Sequence, residues 1–291
     1  MNDERLSTFD AHRPLLFSIA YRMTGNSADA EDMVQETFLR WQQVDSSEVQ
    51  SPRAFLVTIV SRLCINHLQS ARVKREEYFG CWLPEPLLTA SGQRDDRRLD
   101  ESLSMAFLLL LERLSPMERA VFLLSEVFDY SHSEVARIVG KSEANCRQIL
   151  KRARQHISDE RPRFEASPEE HEELLQRFVS ASVDGDIDGL LSLLSEDIVF
   201  YSDGGGRAAA VPKPVYGRPN VTRLLLGARK RFVPEGLVRR IAEVNGQPGI
   251  VNYVDGRANS IVMIDVAGDR IRAIYFVSNP DKLSRIPPLV H

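Results

Sequence analysis

Apolar and polar positions follow one period in the first half of this chain and another near its end. Between residues 6 and 75 apolar side chains recur every three to four places. Ala30, Met33, Val34, Phe38 and Trp41 form one such stripe, and Leu56, Ile59, Val60, Leu63 and Cys64 a second. This spacing predicts amphipathic helices. Asn26 predicts a helix cap with Asp29 at its third position. Ser51-Pro52 predicts another start, with serine at the cap and proline at the first helical place. The polar stretch 43–50 (QVDSSEVQ) reads as a loop.

From 77 to 100 the pattern breaks. "YFGCWLPEPLL" mixes aromatics with two prolines, and "SGQRDDRR" is polar and charged, so this stretch reads as a linker with a sticky patch. Helical periodicity returns over 101–158, where Ser115-Pro116-Met117-Glu118 and Ser131-His132-Ser133-Glu134 predict two capping boxes. A polar segment at 161–168 precedes the second regime. There, helix-like 169–184 and 186–195 lead into alternating runs: "EDIVFYS", "GIVNYV", "NSIVMIDV" and "DRIRAIYFV". Asp255-Gly256 and Ala267-Gly268-Asp269 are the turn signals between them. Helices followed by hairpin-linked strands predict a separate α+β domain.

Composition narrows the reading only a little. A chain of 291 residues suits about two domains, and 43% apolar with 27% charged residues is an ordinary globular balance. The formal net charge of −4 gives no global field for nucleic acid, so any such binding is local or assisted by a partner. Cys64, Cys81 and Cys146 form no C-x-x-C pair and no metal-ligand spacing, which suits a reduced compartment. The charged start MNDERLSTFDAHRP lacks a signal-peptide core, and "AFLLLLERL" is too short to cross a bilayer. A cytoplasmic protein is expected, with no membrane partner, no metal and no cofactor.

Residues 132–151 fit a helix-turn-helix. Ala136 is small where two helices touch, Gly140 stands at the turn where positive φ is wanted, and Cys146 and Ile149 fall on the buried side of the second helix. Cys146 is accordingly read as a packing residue. With 146, 149, 150 and 153 inward, the outward face carries Asn145, Arg147, Gln148 and Lys151, flanked by Arg152 and Arg154. Five bases and one acid between Lys141 and Arg154 leave a local charge of +4. Such a face suits base edges and phosphates of the major groove.

These helical blocks together resemble the extracytoplasmic-function sigma factors of bacterial RNA polymerase. "FSIAYRMTGNSADAEDMVQETFLRWQ" is similar to their region 2.1–2.2, "SPRAFLVTIVSRLCINHLQSARVKRE" to region 2.3–2.4, and the stretch from Leu111 to Arg154 to region 4. The resemblance implies a helical bundle at 1–76, a linker at 77–100 and a region 4 helix-turn-helix at 101–160. It also implies binding of core RNA polymerase through its β′ and β subunits, and of promoter DNA. Glu31, Asp32, Gln35 and Glu36 would form the polymerase-binding face. Asn66, His67, Arg72, Lys74 and Arg75 would meet the −10 element, and the face around Arg147 the −35 element. The loop 43–50 corresponds to the one that pockets a flipped base.

"YSDGGGRAAAVPKP" at 201–214 raises a nucleotide cradle as a rival reading. A Walker loop requires a Lys-Ser/Thr pair and an immediate helix, whereas Arg207 here is followed by three alanines and by Pro212 and Pro214. Residues 169–280 instead resemble SnoaL-like domains of the NTF2-like class, with "PVYGRPNVTRLLLGARKRF" as a further helix. Some sigma factors of this family carry such a domain with three short signatures. They stand here as "WLPEPL" (82–87), "DGGGR" (203–207) and "NPDKL" (279–283).

The expected fold is therefore two all-α sigma domains, then an α+β cone over 169–291 behind a short linker at 161–168. Trp82, Leu83, Asp203, Gly204, Gly205, Gly206, Arg207, Asn279, Pro280, Asp281, Lys282 and Leu283 form the expected regulatory interface, exposed-looking stretches that meet as the C-terminal domain packs back on the sigma core. No catalytic residue is expected. Asp203 and Asp265 imitate the acids of enzymes with this cone, with Tyr201, Asn252 and Tyr253 lining a cavity. A small-molecule ligand of the C-terminal domain stays open beside protein–protein regulation. Two rivals are a helix-turn-helix regulator that never touches polymerase and an enzyme with a DNA-binding front end. Neither needs residues 6–75.

Overall fold

A computed structural model describes residues 2–44, 49–76, 78, 80–89, 102–158, 167–232 and 234–289, with residues 2–3, 71–76, 158, 168 and 229–232 described by their backbone alone. The chain divides into two compact units. One comprises Met1–Glu76 and Leu110–Arg161, the other Glu77–Leu109 and Pro162–His291.

The first unit opens with α1 (Asn2–Thr24), α2 (Ser27–Gln43) and α3 (Pro52–Glu76). Asn26 caps α2 by accepting the Asp29 N–H at 2.9 Å. Ser51 does the same for α3, through the Ala54 N–H. Ala30, Val34 and Trp41 on α2, and Leu56, Val60 and Cys64 on α3, are buried as their periodicity predicts. Trp41 also satisfies its indole N–H on the Arg5 carbonyl. Burial in an apolar surround pushes the Cys64 thiol far up, so it stays an inert packing group.

Next come α4 (Met105–Leu111), whose residues up to Leu109 belong to the second unit, and α5 (Pro116–Phe122), which a single π turn (Leu123–Val127) continues. The helix-turn-helix pair is α6 (His132–Val139) and α7 (Glu143–Ser158). Both expected capping boxes are formed, Ser115 with Glu118 and Ser131 with Glu134. Hydrogen bonds from Ser131 hold the Glu134 carboxyl below its usual range, which keeps it the anion that the start of α6 favours.

The second unit has the helix-and-sheet arrangement expected of it. Helices α8 (Pro168–Asp184) and α9 (Ile187–Leu193) lead into β1 (Leu194–Asp203), a short β2 (Val215–Tyr216) and α10 (Arg218–Phe232). Strands β3 (Val238–Val244), β4 (Gln247–Val254), β5 (Arg257–Ala267) and β6 (Arg270–Val277) precede a final turn of helix, α11 (Pro280–Leu283). The sheet order is β2-β1-β6-β5-β4-β3, with β1 and β6 parallel and the other pairs antiparallel. Strand alternation splits the core in two. Ile198, Phe200, Ile250, Ile264 and Ile274 face a cluster that includes Leu175 and Phe178 of α8 and Val221 of α10. Val251, Ile261, Met263, Ala273 and Tyr275 face another, which takes in Leu83, Met105 and Leu283.

The expected linker is packed where it is described: residues 78, 80–89 and 102–109 belong to the second unit, with Leu83, Pro84, Glu85 and Pro86 buried. Two other readings need correction. Strand β3 escaped the sequence reading, since two arginines interrupt its alternation. Tyr201, Asn252 and Tyr253 do not line one cavity either: successive residues of a strand point to opposite faces. Asn252 donates to Ser260 on one side, while Tyr201 stacks on Tyr275 on the other. The expected linker at 161–168 lies outside the described residues except for Ser167, which caps α8 in a third capping box, and the backbone of Pro168.

His171, on the first turn of α8, is 4% exposed, and its Nε2 has no hydrogen-bond partner among the described residues. Burial lowers its pKa from 6.5 to about 4. The native state thus holds a neutral ring that the unfolded chain protonates below about pH 6.5. Stability tied to this residue is complete above that pH and is lost as pH falls toward 4, by about 3 kcal/mol in full. His171→Phe should remove this acid limb. Urea denaturation of wild type and variant at pH 7 and pH 4.5 checks it: the stability difference between them should move by about 2–3 kcal/mol.

Candidate nucleic-acid interface and the meeting of three motifs

The shape of the helix-turn-helix follows from its glycine. Gly140 ends α6 at φ 67° and ψ 40°, and its N–H returns to the Ala136 carbonyl. In this left-handed conformation a side chain costs roughly 1–2 kcal/mol. The turn sets α7 so that Cys146, Ile149, Leu150, Ala153 and Ile157 are all buried. Asn145, Arg147, Gln148, Lys151, Arg152 and Arg154 are exposed, as the helical spacing requires. Two of these carry internal partners: Arg147 lies 3.5 Å from Glu143, and Arg154 2.6 Å from Glu126. Exposed pairs of this kind are worth little, so both guanidiniums stay available to a stronger anion. Burial raises the Cys146 thiol, consistent with a packing role.

On α2, Asp32 and Gln35 are exposed, while Glu31 pairs with Arg13 at 2.6 Å and Glu36 with Arg40 at 2.8 Å. The acidic face is therefore half neutralised by the chain itself. On α3, Asn66 is exposed and the His67 Nε2 lies 3.4 Å from Asp29. Arg72, Lys74 and Arg75 continue α3, but their side chains lie outside the described residues, as do residues 45–48 of the loop 43–50.

The three short motifs converge on one carboxylate, and they are mostly buried there. Asp203 ends β1 with its side chain fully enclosed. Its Oδ1 accepts from the Tyr78 hydroxyl at 2.6 Å and the Gly205 N–H at 3.0 Å. Its Oδ2 accepts from the Leu83 N–H at 2.9 Å and Lys282 Nζ at 2.6 Å. Lys282 also donates to the Leu83 carbonyl and sits 4.3 Å from the Trp82 ring centre and 5.4 Å from that of Tyr78. Asn279 donates to the Tyr78 hydroxyl at 2.9 Å. Burial first, and then the bond to Asp203, drives the Tyr78 phenol up and keeps it a donor. Gly206, Arg207, Pro280 and Asp281 remain exposed, and Arg207 pairs with Asp281 at 2.9 Å.

The glycines answer to packing, not to phosphate. A Cβ on Gly205, at φ 61°, would meet the Asn279 amide at 2.5 Å, and one on Gly204 would meet the Ala208 carbonyl at 2.3 Å. Asp203 is saturated by four donors. Asp265 accepts from Arg272 at 2.7 Å and 3.1 Å. Burial raises the Asp265 carboxyl, and Arg272 opposes the rise. The two acids are thus committed to structure.

Sequence reasoning missed a second staple. Asn245 is 1% exposed and turns β3 into β4 at φ 54°. It accepts the Leu87 N–H at 3.0 Å, donates to the Leu103 carbonyl at 3.1 Å, and returns its own N–H to Leu87. Leu88 bridges Val244, and Thr89 donates to the Glu243 carbonyl. Residues 87–89 thereby extend the edge of β3. The Asn-Gly pair at 245–246 was the available signal. Tyr78 offered none, because its partners lie more than a hundred residues away.

Comparisons with known proteins give the family of the chain. Residues 8–73 match the family model Sigma-70 region 2, and residues 104–157 match Sigma-70, region 4. The chain is 38% identical to the ECF RNA polymerase sigma factor SigJ of Mycobacterium tuberculosis, over 97% of this chain and 94% of that protein. It is 30% identical to the probable ECF RNA polymerase sigma factor SigI of the same organism, over 97% of this chain and 96% of that one. The crystal structure of SigJ superposes with a TM-score of 0.78, covering 96% of this chain and 98% of SigJ.

Removing one partner of a buried ion pair strands the other. Asp203→Ala should therefore destabilise the second unit by about 3–5 kcal/mol, and adding Lys282→Met should recover a large part of that loss. Urea denaturation followed by Trp82 fluorescence, in a Trp41→Phe background, reports on this unit. Losses that simply add across Asp203→Ala, Lys282→Met and the double variant would show that the pair is not coupled.

Proposed function

Because the chain belongs to the extracytoplasmic-function sigma factors, which bind core RNA polymerase and direct promoter-specific initiation, we propose a division of labour among its parts. The members of this family are initiation factors and not enzymes. The outward face of α7 reads the −35 element, with Arg147 and Lys151 toward the major groove. Asn66 and His67, with the basic end of α3 at Arg72, Lys74 and Arg75, engage the −10 element. The exposed acids of α2 around Asp32 dock on core polymerase at its β′ subunit. The C-terminal unit regulates the factor in place of a separate anti-sigma protein.

The observation that carries the DNA reading is the sorting of α7. Every inward position is buried, and all six polar positions named for the −35 element are exposed. The regulatory reading is supported by the enclosure of Leu83 beneath Asp203 and Lys282. That residue belongs to the stretch connecting region 2 to region 4, so whatever holds it also governs the connection. A small-molecule ligand is not needed for this reading.

Run-off transcription with purified core polymerase tests the proposal as a whole, and start-site mapping then supplies the promoter. On that promoter, Arg147→Ala should cost about 1–3 kcal/mol against one −35 base and relax the preference there. Unchanged discrimination among −35 variants would reject the assigned face of α7. Reversing both acids, as Asp32→Lys with Glu36→Lys, should abolish association with core polymerase and leave circular dichroism unaltered. Normal association would remove α2 from the interface.

A further inference from the structure

Four arginines join region 2 to region 4 within the first unit. From α3, Arg62 donates through Nε to the Ile138 carbonyl at 2.8 Å and through Nη2 to the Arg137 carbonyl at 3.1 Å, on the last turn of α6. From α5, Arg119 donates in the opposite sense to the Met23 carbonyl at 2.7 Å, on the last turn of α1, and to Glu112 at 2.8 Å. Each guanidinium caps the carbonyl end of a helix in the other region, where backbone acceptors lack intrahelical partners and the helix dipole is negative. Arg22 lies 5.6 Å from the Phe128 ring centre, and Arg53 5.5 Å from that of Tyr130. Arg22 and Arg119 are 1% and 3% exposed. Water would compensate these cations on separation, so the contact is one that can open.

The joined regions are too small to act on both promoter elements. A compact body of about 130 residues has a radius of gyration near 14 Å and is about 36 Å across. Elements at −35 and −10 stand roughly 25 base pairs apart, about 85 Å along straight DNA. Regions 2 and 4 must therefore part, and Arg62 then loses both carbonyls. It lies four residues before Asn66, on the same face of α3, and it is already exposed at its edge. An arginine released beside a DNA strand finds a phosphate that its fork fits as well.

We propose that Arg62 is a shared guanidinium: it latches α6 in the closed chain and holds a backbone phosphate near the −10 element once the regions separate. The DNA half rests on the proposed function, whereas the latch half does not. Spin labels at Leu39→Cys and Ala144→Cys, in a full chain carrying Cys81→Ser, report the distance between the regions; Cys64 and Cys146 are buried and stay unlabelled. Arg62→Ala should add a longer-distance population in the free chain, and so should Arg62→Lys, whose point-like ammonium lacks the planar fork that spans the two carbonyls. With core polymerase and DNA carrying the mapped start site, Arg62→Ala should lower the slope of log affinity against log salt by about one, and Arg62→Lys should restore it. An unchanged distance distribution in Arg62→Ala overturns the latch. An unchanged slope in that variant, or no recovery with lysine, overturns the phosphate contact. Failure of the unsubstituted chain to join core polymerase would refute the proposed function and with it the DNA half, while the distances still judge the latch.

Discussion

The second unit is organised around one buried ion pair. Lys282 and Asp203 lie 2.6 Å apart with side chains 6% and 0% exposed. Such a pair is stable only when every remaining lone pair and proton is satisfied. Asp203 meets that condition by recruiting Tyr78, Leu83 and Gly205, and Lys282 by recruiting the Leu83 carbonyl and two aromatic faces. The demand for satisfaction thus draws three distant pieces of chain to one point. The glycines follow from the same demand, since the loop must turn tightly enough for Gly205 to donate back while Asn279 crosses over it.

Around this point the segment 81–89 behaves as a ligand supplied by the chain itself. Leu83 fills an apolar socket, worth about 1.5–3 kcal/mol if fully buried. Residues 87–89 then add backbone pairing along β3, anchored by Asn245. Anchor and edge pairing together fix both position and register, which either alone would leave loose. The described polar contacts between regions 2 and 4 in the first unit are of another kind: guanidiniums on helix ends and on rings, which water can replace.

Much of this was legible in the sequence where the signal is local. The capping boxes at Ser115 and Ser131, the cap at Asn26 and the positive φ of Gly140 all depend on residues within four positions of one another. The faces of α7 follow from the helical period alone. Lost to the sequence was most of what distant partners set. Aromatics and prolines at 81–86 read as exposed because the surface that covers them comes from residues 203–289. Strand β3 is an edge, so Arg239 and Arg240 are tolerated there and spoil the alternation that would betray it. Arg62 and Arg119 looked like solvated charge, because nothing local marks a guanidinium that caps another segment's helix. The three motifs were legible as a set through family resemblance, and their packing together was read from that set, but the carboxylate on which they close and the part of Tyr78 were not.

The pairing of Leu83 with Lys282 spans 199 residues of chain. During synthesis at about 5–20 residues per second, roughly 10–40 s separate the emergence of the two. Through that interval Trp82 and Leu83 have neither their lysine nor, for the first part, the aspartate that binds the Leu83 N–H. The helices on either side close their own contacts locally, so region 2 and then region 4 can fold while the strip between them waits. A nascent chain therefore passes through a stage in which regions 2 and 4 are complete and the socket for the strip between them is still being made.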